Sequence, residues 1–106
     1  MRSPARIVSA PASIAVLPFV NMSSDKESDY FSDGITEELI NALAHVKGLR
    51  VTSRTAVFAL RGKNLGIREL GEELKVGTLL EGSVRREGNA LRITAQLIGV
   101  SDGYHL

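Results

Sequence analysis

The sequence has no cysteine and no tryptophan, and aromatic residues make up only 5% of its 106 positions. Without cysteine, the chain can form no disulfide, has no thiolate to bind a metal and has no cysteine nucleophile. The shortage of aromatic residues argues against binding of single-stranded nucleic acid, which stacks bases on aromatic side chains. Several classes of site are therefore excluded before any motif is considered.

The chain also lacks a charge excess and a long hydrophobic run. Thirteen Lys and Arg residues oppose twelve Asp and Glu residues, for a formal charge of +1. This balance provides no long-range field toward nucleic acid or anionic lipid, so we expect neither as a partner. No stretch approaches the roughly 20 apolar residues that span a bilayer, and the first twelve residues are too polar for a signal peptide. We therefore expect no membrane insertion, and a cytoplasmic location by default, or a periplasmic one if a parent protein carries a preceding transmembrane helix.

The composition that remains is that of one globular domain. Hydrophobic residues account for 43% of the chain and charged residues for 24%. A chain of this length buries enough surface for one core and not for two. We expect a flexible lead over residues 1–12 and a single domain over residues 13–106.

Apolar spacing in the first half predicts a strand followed by a helix. Residues 13–19 form a nearly continuous apolar run, typical of a strand buried on both faces, and Pro18 should end it. Asp33 is the predicted helix cap, and Gly48 the left-handed residue that ends the helix. The predicted buried positions of this helix are Ile35, Leu39, Leu43 and Val46.

The middle of the chain predicts a second strand and a shorter helix. Residues 49–53 are typical of a strand, and residues 54–65 of an irregular surface loop. A shorter helix is marked by Ile67, Leu70 and Leu74, without defined ends, with Glu69 in a capping role and Gly71 allowing close approach to the sheet.

The last third predicts a β-hairpin. Strands are expected over residues 76–86 and 90–100, with the turn at residues 87–89, and a further strand begins at residues 104–106. The second strand alternates apolar and polar residues, so we expect one buried face, formed by Leu91, Ile93, Ala95 and Leu97.

Together these elements define an α/β fold in the order β-α-β-α-β-β. Helical crossovers make the first three strands parallel, and the hairpin adds an antiparallel fourth. The predicted fold class is a mixed four- to five-stranded sheet with two helices.

No motif supplies a catalytic, cofactor-binding or metal-binding constellation. The Asp33-Gly34 pair at the predicted helix start lacks a glycine-rich phosphate loop, and an acidic cap repels phosphate. Gly62-Lys63 has Val57 and Asn64 where a P-loop needs Gly and Ser or Thr. Carboxylates near the helix start do not follow a calcium loop, and neither histidine has metal-ligand spacing. We expect no enzymatic activity, no metal and no cofactor.

Three segments resemble the TolB-like amino-terminal domain of bacteria. They are S-I-A-V-L-P-F-V-N-M-S at residues 13–23, Y-F-S-D-G-I-T-E-E-L at residues 30–39, and L-L-E-G-S-V-R-R-E-G-N-A-L-R-I-T-A-Q-L-I at residues 79–98. Such domains occur in adenylate or guanylate cyclase-associated proteins and in regulators with tetratricopeptide repeats. The resemblance implies an anticodon-binding-like mixed sheet, protein contacts and no catalytic residue. Members of that family usually continue past G-x-H-L with another strand, so it also implies an exposed sheet edge through which a dimer can form.

Two hypotheses for function follow. The first is a non-enzymatic protein-interaction or signal-coupling module within a larger bacterial regulatory protein. The alternative is a sensor that binds a nucleotide or another anion near Asp33-Gly34 or the 54–63 segment. The candidate interaction residues are Asp33, Gly34, Thr36, Glu37, Arg54, Arg61 and Lys63.

Overall fold

A computed structural model describes residues 12–101, 103 and 106. The predicted flexible lead lies outside the described residues except for Ala12. Within the described part, the strands are β1 (Ala12–Val16), β2 (Val20–Asn21), β3 (Leu49–Val51), β4 (Thr78–Glu87) and β5 (Ala90–Gly99). The helices are α1 (Glu27–Ala44), α2 (Arg54–Phe58) and α3 (Ile67–Leu74).

The five described strands form one mixed sheet, as predicted. β1 pairs in parallel with β3 on one side and with β4 on the other. β2 continues the path of β1 beyond Pro18 and also pairs in parallel with β4. β5 runs antiparallel along the whole length of β4. The order across the sheet is therefore β3, β1 with β2, β4 and β5, so β5 lies at an edge.

β1 lies at the centre of the core because its residues are apolar on both faces. Ile14, Ala15 and Val16 are each at most 7% exposed. Ala15 packs with α2 and α3 through the cluster that contains Val57. Val16 faces the opposite side, where α1 covers the sheet. The prediction of a strand buried on both faces is confirmed.

The predicted start of the first helix is wrong. α1 begins at Glu27, so Asp33 lies inside the helix and does not cap it. The buried face of the first turns is lined by small polar residues, which an apolar pattern does not detect: Ser28, Ser32 and Thr36. The hydroxyls of Ser32 and Thr36 donate to carbonyls one turn earlier, so their burial costs no unpaired hydrogen-bonding group.

The end of α1 also differs from the prediction. The helix ends at Ala44, with His45 at the C-cap, and Val46 is 49% exposed beyond it. Gly48 does have a positive φ, of 83°, and turns the chain toward β3. The expected core position of Val46 is therefore wrong, whereas the left-handed conformation of Gly48 is confirmed.

The predicted loop at 54–65 contains a third helix. Ser53 caps α2 by accepting a hydrogen bond from the Ala56 amide at 3.2 Å. Val57 is 1% exposed and anchors this short helix in the core. This helix has only one fully buried apolar position, so it is too short to show a repeating apolar pattern in the sequence.

α3 forms where the shorter helix is predicted, around Ile67, Leu70 and Leu74. The carboxylate of Glu69 accepts a hydrogen bond from the Gly66 amide at 2.9 Å, which confirms its capping role. A Cβ atom on Gly71 would overlap the side chain of Val100, so a larger residue would push α3 away from the sheet. The expected close approach at Gly71 is confirmed.

The hairpin is confirmed, but the buried face predicted for β5 is not. Gly88 supplies the positive φ of the turn, at 63°. Leu91, Ile93 and Leu97 are 39%, 48% and 41% exposed, and Ile98 on the other face is the buried residue of this strand. The main packing of α1 is against β1 to β4, which leaves the edge strand uncovered.

Candidate functional site

The fold brings four of the seven predicted site residues together on one surface. Asp33 and Glu37 lie one turn apart on α1. Arg61 donates to both carboxylate oxygens of Asp33, at 2.5 and 3.3 Å. The Nε of Arg54 donates to Glu37 Oε2 at 2.7 Å. Two parallel ion pairs therefore tie α1 to the α2 segment.

An aromatic ring completes this surface. The guanidinium carbons of Arg54 and Arg61 lie 4.2 and 4.5 Å from the centroid of the Phe58 ring, which is within the range of a cation–π contact. We call Asp33, Glu37, Arg54, Phe58 and Arg61 the α1–α2 ladder. Both arginines are thus held by a carboxylate and a ring that belong to the same chain.

The ladder contributes little to stability through its charges. The paired side chains are 31–51% exposed, and exposed ion pairs are worth about 0–1 kcal/mol each. Arg54 and Arg61 are already neutralised by Glu37 and Asp33. The ladder therefore positions α2 against α1 and offers no free cation to a phosphate.

The other three predicted site residues lie apart from the ladder contacts. Thr36 is fully buried, and its hydroxyl accepts a hydrogen bond from the Phe19 amide at 2.9 Å while donating to Ser32. Gly34 is exposed in α1, and a Cβ atom added there would meet no packed neighbour within 4 Å. Lys63 is exposed in the segment between α2 and α3. Thr36 is thus a structural residue, and a role of the others in binding a partner stays a prediction.

A cleft of about 370 Å³ opens beside the ladder, between the end of β1 and the first half of α1. Its polar groups are already paired: Asn21 donates to Asp29 at 2.8 Å, and Asp33 holds Arg61. Two carboxylates and one guanidinium give the cleft a net negative lining. This electrostatic character opposes the nucleotide or anion site that the sequence left open.

The described residues contain no group of three or more His, Cys, Asp or Glu side chains placed to hold a metal ion. Among the described helices, none combines the length and the apolar character that crossing a membrane requires.

Asp25 connects the start of α1 to the hairpin. Its carboxylate accepts a hydrogen bond from the Ser28 hydroxyl at 2.8 Å and pairs with Arg86 at 3.4 Å. The Arg86 amide donates in turn to the hydroxyl of Ser23 at 2.6 Å. The Ser28 hydrogen bond, aided by the positive charge of Arg86, holds the pKa of Asp25 below its ordinary value.

The face of β5 that the sequence assigned to the core is exposed among the described residues. We call Leu91, Ile93, Ala95 and Leu97 the β5 apolar row. These residues share a face with Leu80 and Val84 of β4, which pack beneath α1. The alternation is visible in the sequence, but the position of β5 beyond the reach of α1 is not.

The fold is shared with solved structures of bacterial proteins. Lipoprotein GNA1162 from Neisseria meningitidis superposes with a TM-score of 0.72 at 22% identity, covering 91% of this chain and 75% of that one. TolB from Acinetobacter baumannii superposes with a TM-score of 0.61 at 14% identity, covering 92% of this chain and 22% of that one. The chain is therefore a mixed α/β domain of TolB-like fold, as the resemblance implied.

Residues 10–106 match the family described as HilA/YgeH-like transcriptional regulator, second domain. The chain belongs to this family. The expected TolB-like fold is thus confirmed, while the matching family is the HilA/YgeH-like one.

A relative in Rhizobium meliloti (strain 1021), named "Putative adenylate cyclase 3", is 54% identical over 97 residues. The match covers 92% of this chain but only 16% of the relative. The chain thus matches only a small part of a relative whose name refers to a cyclase. This agrees with the expected occurrence of such domains in cyclase-associated proteins.

Proposed function

We propose that this chain is a non-enzymatic protein-interaction domain of a larger bacterial regulatory protein, and that it binds its partner through the β5 apolar row. The observation that carries the proposal is the 39–48% exposure of Leu91, Ile93 and Leu97 on one face of an edge strand. An apolar row of this kind on a small domain is typical of a contact surface. Any cyclase chemistry of the Rhizobium meliloti relative then belongs to the rest of that protein.

The small size of the domain within its relative supports this role. A domain that occupies 16% of a protein can act on the remainder through a docked surface. The α1–α2 ladder and the Asp25 contacts serve a different purpose, because they bind residues of this chain to one another. Among the described residues, the side chains of the β5 apolar row are exposed and make no such contacts.

The test uses the Rhizobium meliloti relative with its matching segment deleted, titrated with this chain in a calorimeter. Ile93→Asp should weaken binding by about tenfold or more, because a buried contact residue becomes a charge. Gln96→Asp places the same charge at an exposed position on the opposite face of β5, and it should leave affinity within about twofold.

Both variants must first show the circular dichroism spectrum and melting temperature of a folded chain. Equal loss of affinity in the two variants would contradict the β5 apolar row as the contact surface. Absence of binding by the unmodified chain, to the truncated relative and to the intact relative alike, would contradict the interaction role itself.

A further inference from the structure

A shallow depression of about 370 Å³ lies on the outer face of α1. We call it the α1 notch, and it is lined by Tyr30, Phe31, Gly34, Ile35, Glu37 and Glu38. By the helical repeat, Gly34 lies one turn after the two aromatic residues and one turn before the two glutamates. The buried residues Ser28, Ser32 and Thr36 lie on the opposite face of the helix. The notch therefore has rings at one end, carboxylates at the other and a bare backbone between them.

Gly34 forms the floor of the notch and has no packing role among the described residues. A Cβ atom at this position would meet nothing within 4 Å, and the backbone is not left-handed. Glycine inside a helix is less stable than alanine, so it weakens α1 here without a gain from packing in the described part of the chain. The missing side chain does leave room for a group from another molecule between the rings and the carboxylates.

The aromatic rings of the notch are open to solvent. Tyr30 is 82% exposed and Phe31 is 39% exposed. Carboxylates in the first turn of a helix are stabilised by its dipole, which accounts for the acidic start of α1 but not for exposed rings. Tyrosine is enriched among the residues that dominate binding at protein interfaces. The rings therefore indicate a bound group rather than a solvated helix face.

The charge of α1 defines the kind of group. The helix has several carboxylates and no Lys or Arg along its 18 residues. Asp33 and Glu37 pair with arginines of the α1–α2 ladder. Glu38 makes no ion pair with any of the described residues. The notch thus joins exposed rings to such a carboxylate, and these are the two kinds of group that attract a cation.

The α1–α2 ladder shows how this chain holds a guanidinium. The guanidinium carbon of Arg54 lies 4.2 Å from the centroid of the Phe58 ring, and its Nε donates to Glu37 Oε2 at 2.7 Å. A planar guanidinium can stack on a ring while its N–H groups donate to a carboxylate, whereas an ammonium group has no planar fork. The notch offers a ring and a carboxylate in the same way, and none of its lining residues is a cation.

We propose that the α1 notch binds an arginine side chain of a partner protein. The guanidinium stacks on Tyr30 and donates to Glu38, and the aliphatic stem of the side chain lies across Gly34. The notch lies on α1 and the β5 apolar row on another element, so each surface can be tested without the other.

Nuclear magnetic resonance titration of the isotope-labelled chain tests the site with capped tripeptides. Ala-Arg-Ala should shift the amide signals of Gly34 and Glu38 saturably, with a dissociation constant on the order of 10 mM. Ala-citrulline-Ala has a similar shape without the charge and should cause several-fold smaller shifts at the same concentration. Ala-Lys-Ala should bind more weakly than Ala-Arg-Ala, because its ammonium group lacks the planar N–H fork. The amide signal of Glu73, on α3, should stay in place with all three peptides.

Substitutions at the two ends of the notch separate the ring from the charge. Tyr30→Ala should weaken binding of Ala-Arg-Ala by about threefold or more, whereas Tyr30→Phe keeps the ring and should bind within about twofold of the unmodified chain. Glu38→Gln should weaken binding by about two- to fivefold. Glu73→Gln removes an exposed carboxylate from α3 and should leave the affinity unchanged.

Filling the floor of the notch tests where the peptide binds. Gly34→Leu should abolish the shifts caused by Ala-Arg-Ala, because the new side chain occupies the space between the rings and the carboxylates. Ala42→Leu adds the same side chain at an exposed position two turns further along α1, and this variant should still bind. Thermal melts of both variants must first show a folded chain.

The outcomes distinguish this site from the proposed function. Equal shifts by the arginine and citrulline peptides, tighter binding of the lysine peptide, or shifts that persist in Gly34→Leu would overturn the arginine site. So would the absence of saturable shifts in α1 with Ala-Arg-Ala at about 50 mM, well above the expected dissociation constant. That absence, together with β5-dependent binding of the relative, would leave the proposed function standing. A peptide site in a chain that binds neither form of the relative would support the notch and contradict the proposed function.

Discussion

At the scale of single residues, Thr36 joins α1 to the loop after β1. It is fully buried, and its hydroxyl accepts a hydrogen bond from the Phe19 amide. Phe19 itself is 4% exposed and packs over Gly82, where any Cβ atom would overlap its ring. The Thr36 hydroxyl thus holds the main chain of Phe19, whose ring covers this side of the core.

Thr36→Val should destabilise the chain by about 1–3 kcal/mol, because a valine of similar shape leaves the buried Phe19 amide without a partner. Thr55→Val is the control: Thr55 is exposed in α2, and its replacement should change the free energy of unfolding by no more than about 0.5 kcal/mol. Urea denaturation of both variants measures the difference. Equal stabilities would show that water or another group replaces the lost acceptor.

Asp25 makes the stability of the chain depend on pH. The Ser28 hydrogen bond and the charge of Arg86 hold the pKa of Asp25 below its ordinary value near 3.8. A carboxyl whose pKa is lowered in the folded state stabilises the fold fully above its unfolded pKa, and this contribution is lost as the pH falls through the folded value. Asp25→Asn should therefore be less stable than the unmodified chain at pH 7.

The difference in the free energy of unfolding between Asp25→Asn and the unmodified chain should stay constant down to about pH 4 and shrink at lower pH. Urea denaturation at each pH measures this difference. Ser28→Ala removes the main cause of the lowered pKa and should lose a similar pH-dependent increment. A difference that grows on acidification would contradict the assignment.

At the scale of elements, two helical glycines have opposite roles. Gly71 lets α3 lie directly against Val100, whereas Gly34 is exposed on α1 with open space around it. A helix interior favours alanine over glycine unless the methyl group meets a neighbour. The same substitution should therefore have opposite signs at the two positions.

Gly71→Ala should lower stability by about 1–3 kcal/mol, because the new methyl overlaps the Val100 side chain. Gly34→Ala should raise stability by about 0.5–1 kcal/mol. Thermal melts of both variants give the sign directly. Stabilisation by Gly71→Ala would mean that α3 shifts away from the sheet at little cost.

The elements also differ in how well the sequence predicts them. α3 and the hairpin are predicted closely, because the capping by Glu69 and the turn at Gly88 are local interactions. The start of α1 is misplaced, because Ser28 and Ser32 are polar residues that can be buried: the Ser28 hydroxyl donates to the Asp25 carboxylate just before the helix, and the Ser32 hydroxyl donates to the Ser28 carbonyl. α2 is missed because a five-residue helix is too short for periodicity.

At the scale of the whole molecule, the described residues combine a well-packed centre of the sheet with an exposed apolar row on β5. The arginines that suggested an anion sensor are paired within the α1–α2 ladder, and the adjacent cleft is lined with more carboxylates than cations. Binding of a nucleotide would require breaking these pairs. The balance of charges favours a protein-binding surface over a phosphate site.

A thermal shift assay with ATP or cyclic AMP at about 1 mM should therefore change the melting temperature by less than about 1 °C. A nucleotide with a dissociation constant of ~10 µM would stabilise the fold by about 2.7 kcal/mol at that concentration. For a chain of this size, such binding would raise the melting temperature by roughly 10 °C or more. A rise of that size would revive the sensor hypothesis.

The candidate site is only partly predictable from the sequence, because its contacts depend on how separate elements pack against one another. Asp33, Glu37, Arg54 and Arg61 stand out in the sequence as charged residues, but their pairing depends on where α2 lies against α1. The alternation of the β5 apolar row is predicted correctly and its burial wrongly. Whether an apolar row is covered depends on a helix that is distant in sequence.

The sequence by itself determined the order of the major elements, the hairpin and the capping of α3, because these depend on residues near one another in the chain, and it determined the mixed sheet because helical crossovers make strands parallel. The hairpin register differs from the expected one by one residue, since Glu87 pairs with Ala90 across a turn at Gly88 and Asn89. Only the tertiary structure decided which faces are covered. It placed α1 over β1 to β4, paired the arginines with carboxylates and, in the described part of the chain, left the β5 apolar row exposed, because such contacts depend on how helices pack against strands far away in sequence.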